Sequence, residues 1–228
     1  MKIAYESLIN HSFASSINHV YRRINLSHKD SVNDFIKNPL YKNSLPILSY
    51  PDISDIETVI SSHEKSLERL INAGYITTIA IDDSSSLLEY FSHRNEIDFL
   101  DKCQYVREFF TRFSHNMSVI LTTEELMPKG IDAYESVMIA NFLVSCGINK
   151  IIATCGSKKF PLLYERRKTT PKNQDLDTCE PKVAAGIWLK EHTSIDIGIY
   201  VNYIDEEHEK YVIKKSQELN YCEVIFNR

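Results

Sequence analysis

The sequence GINKIIATCG, residues 147–156, shows most clearly the structural unit that repeats along this chain. It begins with a glycine directly after a predicted helix at 131–146 and continues into KIIATC, an apolar, β-branched run at 150–155. Glycine is the preferred residue just past the end of a helix, and an apolar run of this length is typical of a buried strand. The stretch therefore predicts one helix–glycine–strand unit.

The same unit occurs elsewhere in the chain. The segment 52–73 carries a helical stripe of apolar residues, Gly74 follows it, and TTIAID at 77–82 reads as a second buried strand. Because continuous apolar strands are typical of parallel sheets that are covered on both faces, the repeat predicts an α/β fold. Further helices are predicted near 97–114, 180–192 and 205–219, and further strands at 3–9, 118–123, 196–201 and 222–227.

This alternation fits two architectures equally well, a doubly wound sheet and a (β/α)8 barrel. In both of them, ligands bind at the carboxyl ends of the strands. We expect a single domain over residues 1–228, in which 10–50 and 156–179 form irregular excursions. Both of these segments are polar and longer than ordinary loops.

Composition excludes several classes of protein. The chain has 228 residues and a net charge of −5, which argues against a general nucleic-acid binder. It has no apolar run long enough to span a bilayer, so we expect no membrane association. The 5 cysteines are scattered and form no CxxC pair, which argues against a cysteine zinc site and favours reduced thiols in the cytoplasm.

Several phrases occur in an order that resembles the old yellow enzyme family, the NADH:flavin oxidoreductases. They are AGYITTIAI (73–81), SVILTTEELMPKG (118–130), GINKIIATCG (147–156), IDIGIYVNYI (195–204) and CEVIFNR (222–228). The resemblance implies a TIM-type barrel of parallel strands, bound FMN, and reduction of an activated alkene or similar acceptor by NAD(P)H. It also implies an incomplete or irregular (β/α)8 barrel, because the chain matches the family only from about its third strand onward.

The departures from the family fall on its chemistry. In the family, an arginine beside the flavin stabilises the anionic reduced form, and a pair of glycines allows the backbone to approach the FMN phosphate. This chain has other residue types at those positions, which removes the positive charge and the close backbone approach. Arg228 alone keeps a phosphate-binding residue type. Other residue types stand where the family places its flavin and substrate contacts: Leu8, Ile81, Ser84, Ser86, Ile120, Val201 and Asn202.

A flavin-free barrel enzyme that uses the carboxylates at the strand ends is one possibility, and the resemblance itself leaves two others. The chain is a degenerate member of the family, or it is a flavin-free pseudoenzyme that acts as a binding or partner subunit. In either case, we expect the isolated protein to carry no tightly bound FMN. An open barrel exposes strand edges, so we also expect residues 10–50, a second copy or a partner chain to close the gap.

The strand ends suggest a site for a small polar or anionic ligand. Asp82 and Asp83 follow one predicted strand and Glu124 follows the next, so their carboxylates would lie at one end of the sheet. Arg166 and Arg167 lie in the basic loop after the strand at 150–155 and would grip an anionic group. The alternatives are that the acids cap helices and that the basic loop is simply solvated. No metal site is predicted.

Overall fold

Eight parallel strands form a closed barrel in the computed structural model of the protein. The structure describes residues 1–6, 19–26, 28, 30–49, 56–81, 99–123, 132–156 and 180–227. Each strand pairs with the next along the chain, and the last pairs with the first, which confirms the predicted parallel (β/α)8 barrel. The strands are β1 (Lys2–Glu6), β2 (His19–Asn25), β3 (Ser44–Ser49), β4 (Thr77–Ile81), β5 (Met117–Thr123), β6 (Lys150–Cys155), β7 (Asp196–Asn202) and β8 (Glu223–Asn227).

The helix at Ala133–Ser145 begins at a capping box and is followed by a glycine. Asp132 accepts hydrogen bonds from the backbone of Tyr134 and Glu135, and the Glu135 carboxylate accepts one from the backbone of Asp132. Gly147 follows the same helix with φ +90°, a conformation that glycine adopts without strain. The described helices are α1 (Ser31–Lys37), α2 (Ile56–Asn72), α3 (Phe99–Phe113), α4 (Ala133–Ser145), α5 (Pro181–His192) and α6 (Glu206–Glu218), with short 3-10 turns at Pro39–Tyr41 and Ser114–Asn116.

The barrel is not short of strands, which corrects the expectation of an incomplete one. Strands β2 and β3 and helix α1 lie within residues 10–50, which the sequence suggested were irregular. Strand β2 was overlooked because its HVYRRIN sequence contains two arginines. Arg22 is nevertheless 8% exposed, and its guanidinium carbon lies 4.4 Å from the centre of the Tyr41 ring. Strand β3 was overlooked because Pro46 interrupts its apolar run.

A hydrophobic cluster inside the barrel takes one buried side chain from each strand. Neighbouring residues on the strands belong to a second, larger cluster that packs against the helices. Because side chains alternate between the two faces of a strand, residues two positions before or after a member of the interior cluster also point into the barrel. The inner residues are Ala4, Tyr21, Ile47, Ala80, Ile120, Ile152, Tyr200 and Ile225.

Helix α5 packs unusually close to the barrel at Gly186. A Cβ atom added there would lie 2.7 Å from both Ile199 Cγ2 and the Tyr221 hydroxyl, closer than real Cβ contacts. The Tyr221 hydroxyl cannot move freely, since it donates a 2.9 Å hydrogen bond to the Val183 carbonyl. No helix in the described ranges is long and apolar enough to cross a membrane.

We expect Gly186→Ala to lower the free energy of unfolding by about 1–3 kcal/mol because it overpacks this contact. Alanine normally stabilises a helix interior relative to glycine by up to about 1 kcal/mol. A lower free energy of unfolding in Gly186→Ala would therefore arise from the close packing and not from helix propensity. Urea denaturation measures the change, with Lys214→Ala at an exposed position of α6 as the control. A gain in stability for Gly186→Ala would contradict the close approach.

Candidate functional site

Three polar side chains meet inside the barrel at the carboxyl ends of the strands, here called the mouth. Glu6 lies two residues beyond Ala4 on β1, and Arg23 lies two beyond Tyr21 on β2, so both point inward. The Arg23 Nε donates to Glu6 Oε1 at 3.0 Å, and the Tyr200 hydroxyl donates to Glu6 Oε2 at 2.5 Å. Arg23 Nη2 lies 3.5 Å from the Tyr200 oxygen. We call Glu6, Arg23 and Tyr200 the mouth cluster.

The electrostatics of the mouth cluster assign a protonation state to Tyr200. Burial raises the pKa of this phenol well above its ordinary value, and the neighbouring Glu6 carboxylate raises it further. Arg23 acts in the opposite direction but does not reverse the shift. Tyr200 is therefore a neutral O–H donor at physiological pH. Glu6 is 3% exposed, and the Arg23 guanidinium balances its charge.

A second cluster, again of a carboxylate, a phenol and a cation, lies at the opposite end of the barrel interior. Glu223 Oε1 accepts from the Tyr21 hydroxyl at 3.0 Å, and Glu223 Oε2 accepts from Lys150 Nζ at 2.8 Å. Burial, followed by the charge of Glu223, raises the pKa of Tyr21. We call Tyr21, Lys150 and Glu223 the floor cluster. In TIM barrels this amino-terminal end supports stability, whereas chemistry takes place at the mouth.

The mouth also carries uncharged polar residues. Thr154 on β6 points inward and donates from its hydroxyl to the Tyr200 carbonyl at 2.8 Å, which ties β6 to β7. Asn202 ends β7 and is exposed, while Asn227 ends β8 and is partly buried. Because the register pairs Asn202 with Asn227 and Asn227 with Glu6, these side chains extend the mouth cluster across three strands.

The site residues predicted from the sequence do not overlap with the mouth cluster. They lie outside the described residues and stay predictions: Asp82, Asp83, Glu124, Arg166, Arg167 and Arg228. Among the positions compared with the flavin family, Ile120 lies in the barrel core, and Asn202 ends a strand at the mouth.

Sequence reasoning missed all three members of the mouth cluster. The first strand was predicted to run to residue 9, whereas it ends at Glu6, so this carboxylate was not recognised as a strand-end group. Arg23 lay in a segment taken as irregular, and Tyr200 lay within an apolar strand. The available signal was the alternation in β1, where Glu6 shares a strand face with Ala4.

The sequence matches no protein-family model and no curated protein. Among solved structures, the chain is similar to the apo form of a "putative deoxyribose-phosphate aldolase" from Toxoplasma gondii ME49, with a TM-score of 0.51 and 12% sequence identity. The match covers 99% of this chain and 89% of that chain.

These findings correct the family suggested by the sequence. The similar structure is described as an aldolase and not as a flavin oxidoreductase, and no family model of flavin oxidoreductases matches. Moreover, Lys2–Glu6 is the first strand of a complete barrel, whereas the resemblance placed this segment at the family's third strand. The resemblance to old yellow enzymes is wrong, and with it the flavin-dependent reduction and the flavin-free relative considered beside it. What the comparison establishes for this chain is the (β/α)8 barrel fold.

Proposed function

We propose that the protein is an enzyme that moves a proton at a carbon next to the carbonyl group of a small polar substrate. The observation that carries this proposal is the mouth cluster, in which a carboxylate, a phenol and a guanidinium lie within 3.5 Å of one another. Enolate formation requires a base at the α-carbon and hydrogen-bond donors for the carbonyl oxygen, and the mouth cluster contains groups of both kinds.

The roles follow from the chemistry of each group. The Glu6 carboxylate takes the proton from the α-carbon, and the C–H electron pair becomes the new carbon–carbon double bond. The carbonyl π electrons move onto the oxygen, which accepts hydrogen bonds from Tyr200 and Arg23. Return of the proton from Glu6 to the carbon reverses the step. Because the pKa of Tyr200 is raised, Tyr200 serves as a donor and Glu6 as the base.

Substrate binding must rearrange one hydrogen bond of the cluster. The Tyr200 hydroxyl now donates to Glu6 Oε2, so the substrate oxygen has to replace that carboxylate oxygen as its acceptor. The exchange frees Glu6 Oε2 to act as the base, while Oε1 keeps its bond from Arg23 Nε. Binding and activation of the base are thereby coupled.

The likeness to a protein described as an aldolase supports this class of reaction, because aldol cleavage and condensation also pass through an enolate or an enamine. An enamine requires a lysine amine. The described strands carry lysine only at Lys2 and Lys150, both at the amino-terminal end of the barrel. The described residues therefore favour the enolate route.

Proton exchange in D2O, followed by 1H NMR, tests the proposal. Acetone, hydroxyacetone and dihydroxyacetone serve as substrates, and the wild type is expected to exchange their α-protons faster than buffer does. Tyr200→Phe removes one of two donors and is expected to slow the exchange at least tenfold, in line with the loss of an oxyanion donor.

Tyr21→Phe is the matched control, since Tyr21 also lines the barrel and also donates to a glutamate, but in the floor cluster. It is expected to leave the exchange rate of the folded protein unchanged. The proposal fails if the wild type exchanges none of the three compounds, or if both tyrosine variants lose activity equally.

Three further expectations from the sequence are also proposals. The barrel closes within this chain, so no partner is needed to complete it, and self-association stays a prediction. The absence of tightly bound FMN also stays a prediction. If Arg166 and Arg167 reach the mouth, they would add affinity for an anionic group on the substrate.

A further inference from the structure

The strand register places two amides in one row with Glu6. Asn202 pairs with Asn227 across β7 and β8, and Asn227 pairs with Glu6 across β8 and β1. Neighbouring strands lie about 4.8 Å apart, so Asn227 is one strand from the carboxylate and Asn202 is two strands away. The row therefore runs outward from the proposed base.

Both amides belong to the inner face of the barrel. Asn202 lies two residues beyond Tyr200, and Asn227 lies two beyond Ile225, and the latter residues fill the interior. Glu6 at the end of the row is buried, Asn227 is partly buried, and Asn202 is exposed. A molecule that contacts Glu6 would thus extend past Asn227 toward solvent at Asn202.

Among the described residues, the side chains beside Asn227 and Asn202 at the mouth include uncharged polar groups. Each asparagine offers two N–H donors and one carbonyl acceptor. A hydroxyl group can accept a hydrogen bond from the N–H and donate one to the carbonyl. Thr122 and Thr154 pair with each other on β5 and β6 and add hydroxyls to the same face as the inner residues. Neutral donors and acceptors match alcohols better than they match a phosphate or a carboxylate.

We propose that Asn227 and Asn202 bind hydroxyl groups of the substrate and that the substrate class is a hydroxylated carbonyl compound. This inference rests on the proposed function, because it places the reacting carbon at Glu6. The hydroxyl nearer to that carbon contacts Asn227, and a more remote hydroxyl contacts Asn202. Both residues determine specificity, and neither takes part in the proton transfer.

The test compares substrates that differ only in hydroxyl groups. The value of kcat/KM for α-proton exchange is measured for dihydroxyacetone, hydroxyacetone and acetone. The ratio of hydroxyacetone to acetone is expected to fall about 3–10-fold in Asn227→Ala, as the loss of one neutral hydrogen bond implies. The ratio of dihydroxyacetone to hydroxyacetone is expected to fall similarly in Asn202→Ala. Asn227→Ser, which keeps a hydroxyl donor and acceptor, should restore part of the first ratio.

Asn141→Ala is the matched control, because Asn141 is exposed on α4 outside the barrel, and both ratios are expected to stay at the wild-type value. If exchange occurs but the wild type does not discriminate, or if the asparagine variants keep both ratios, the hydroxyl-binding inference is overturned while the proposed function stands.

If no compound exchanges, the proposed function fails, and saturation-transfer NMR with the same three ketones then decides the binding claim. Suppose that the wild type binds dihydroxyacetone in preference to acetone and that Asn202→Ala and Asn227→Ala abolish this preference. That result would support the hydroxyl-binding inference without the proposed function. Equal or absent binding of the three would overturn it.

Discussion

Glu6→Gln is expected to reduce α-proton exchange by about 10²–10⁴-fold, the usual contribution of a positioned general base. The glutamine amide keeps the size of the side chain and can still accept a hydrogen bond from Arg23, but it cannot take a proton at neutral pH. Exchange rates in D2O at a fixed substrate concentration measure the loss. Circular dichroism and thermal unfolding establish that the variant is folded.

Glu223→Gln provides the matched control for this change. Glu223 is the other inward carboxylate that bonds to a tyrosine and a cation, and it lies in the floor cluster. Its replacement is expected to alter stability but not the exchange rate of the folded protein. Equal losses of activity in the two glutamine variants would mean that Glu6 acts through the fold and not as the base.

Lys150→Met is expected to lower the free energy of unfolding by about 3 kcal/mol. The change removes the cation from Glu223, whose side chain is 2% exposed, and an unpaired buried charge typically costs about 3–5 kcal/mol. The lower end applies because the Lys150 side chain is 27% exposed and the pair is partly screened. Urea denaturation at pH 7 measures the difference.

A second substitution separates the lost ion pair from lost packing. In the double variant Lys150→Met with Glu223→Gln, the floor cluster holds no unpaired charge, so part of the stability is expected to return. Lys214→Met on the exposed side of α6 controls for the change of side chain. A loss below about 1 kcal/mol in Lys150→Met would contradict the importance of the buried pair.

The local elements were readable from the sequence because local signals specify them. The stop at Gly147 and the apolar run at 150–155 correspond to the observed end of α4 and to β6. Strands β2 and β3 were not readable, because arginines and a proline mask the pattern in a short segment. Their assignment requires knowing that Arg22 packs against Tyr41, a tertiary contact that periodicity does not encode.

The mouth cluster was unpredictable for a different reason. Glu6 and Arg23 are 17 positions apart on neighbouring strands, but Glu6 and Tyr200 are 194 apart, so only barrel closure brings Tyr200 to the other two. The rule that ligands bind at the carboxyl ends of strands indicated the end of the barrel that carries the mouth cluster. It could not choose among strand-end residues, because one residue of error in a strand boundary turns a side chain from the interior to the helices.

The pairing of β1 with β8 has a consequence for synthesis. The ribosome synthesises Glu6 long before Tyr200, which lies 194 positions later in the chain. A nascent chain therefore contains the proposed base before its phenol partner has been made. The seam between β1 and β8 cannot form until residues 223–227 have emerged. Loop closure over such a distance is slow, and it comes late in folding. A chain that terminates before β8 therefore cannot form the β1–β8 seam beside the mouth cluster.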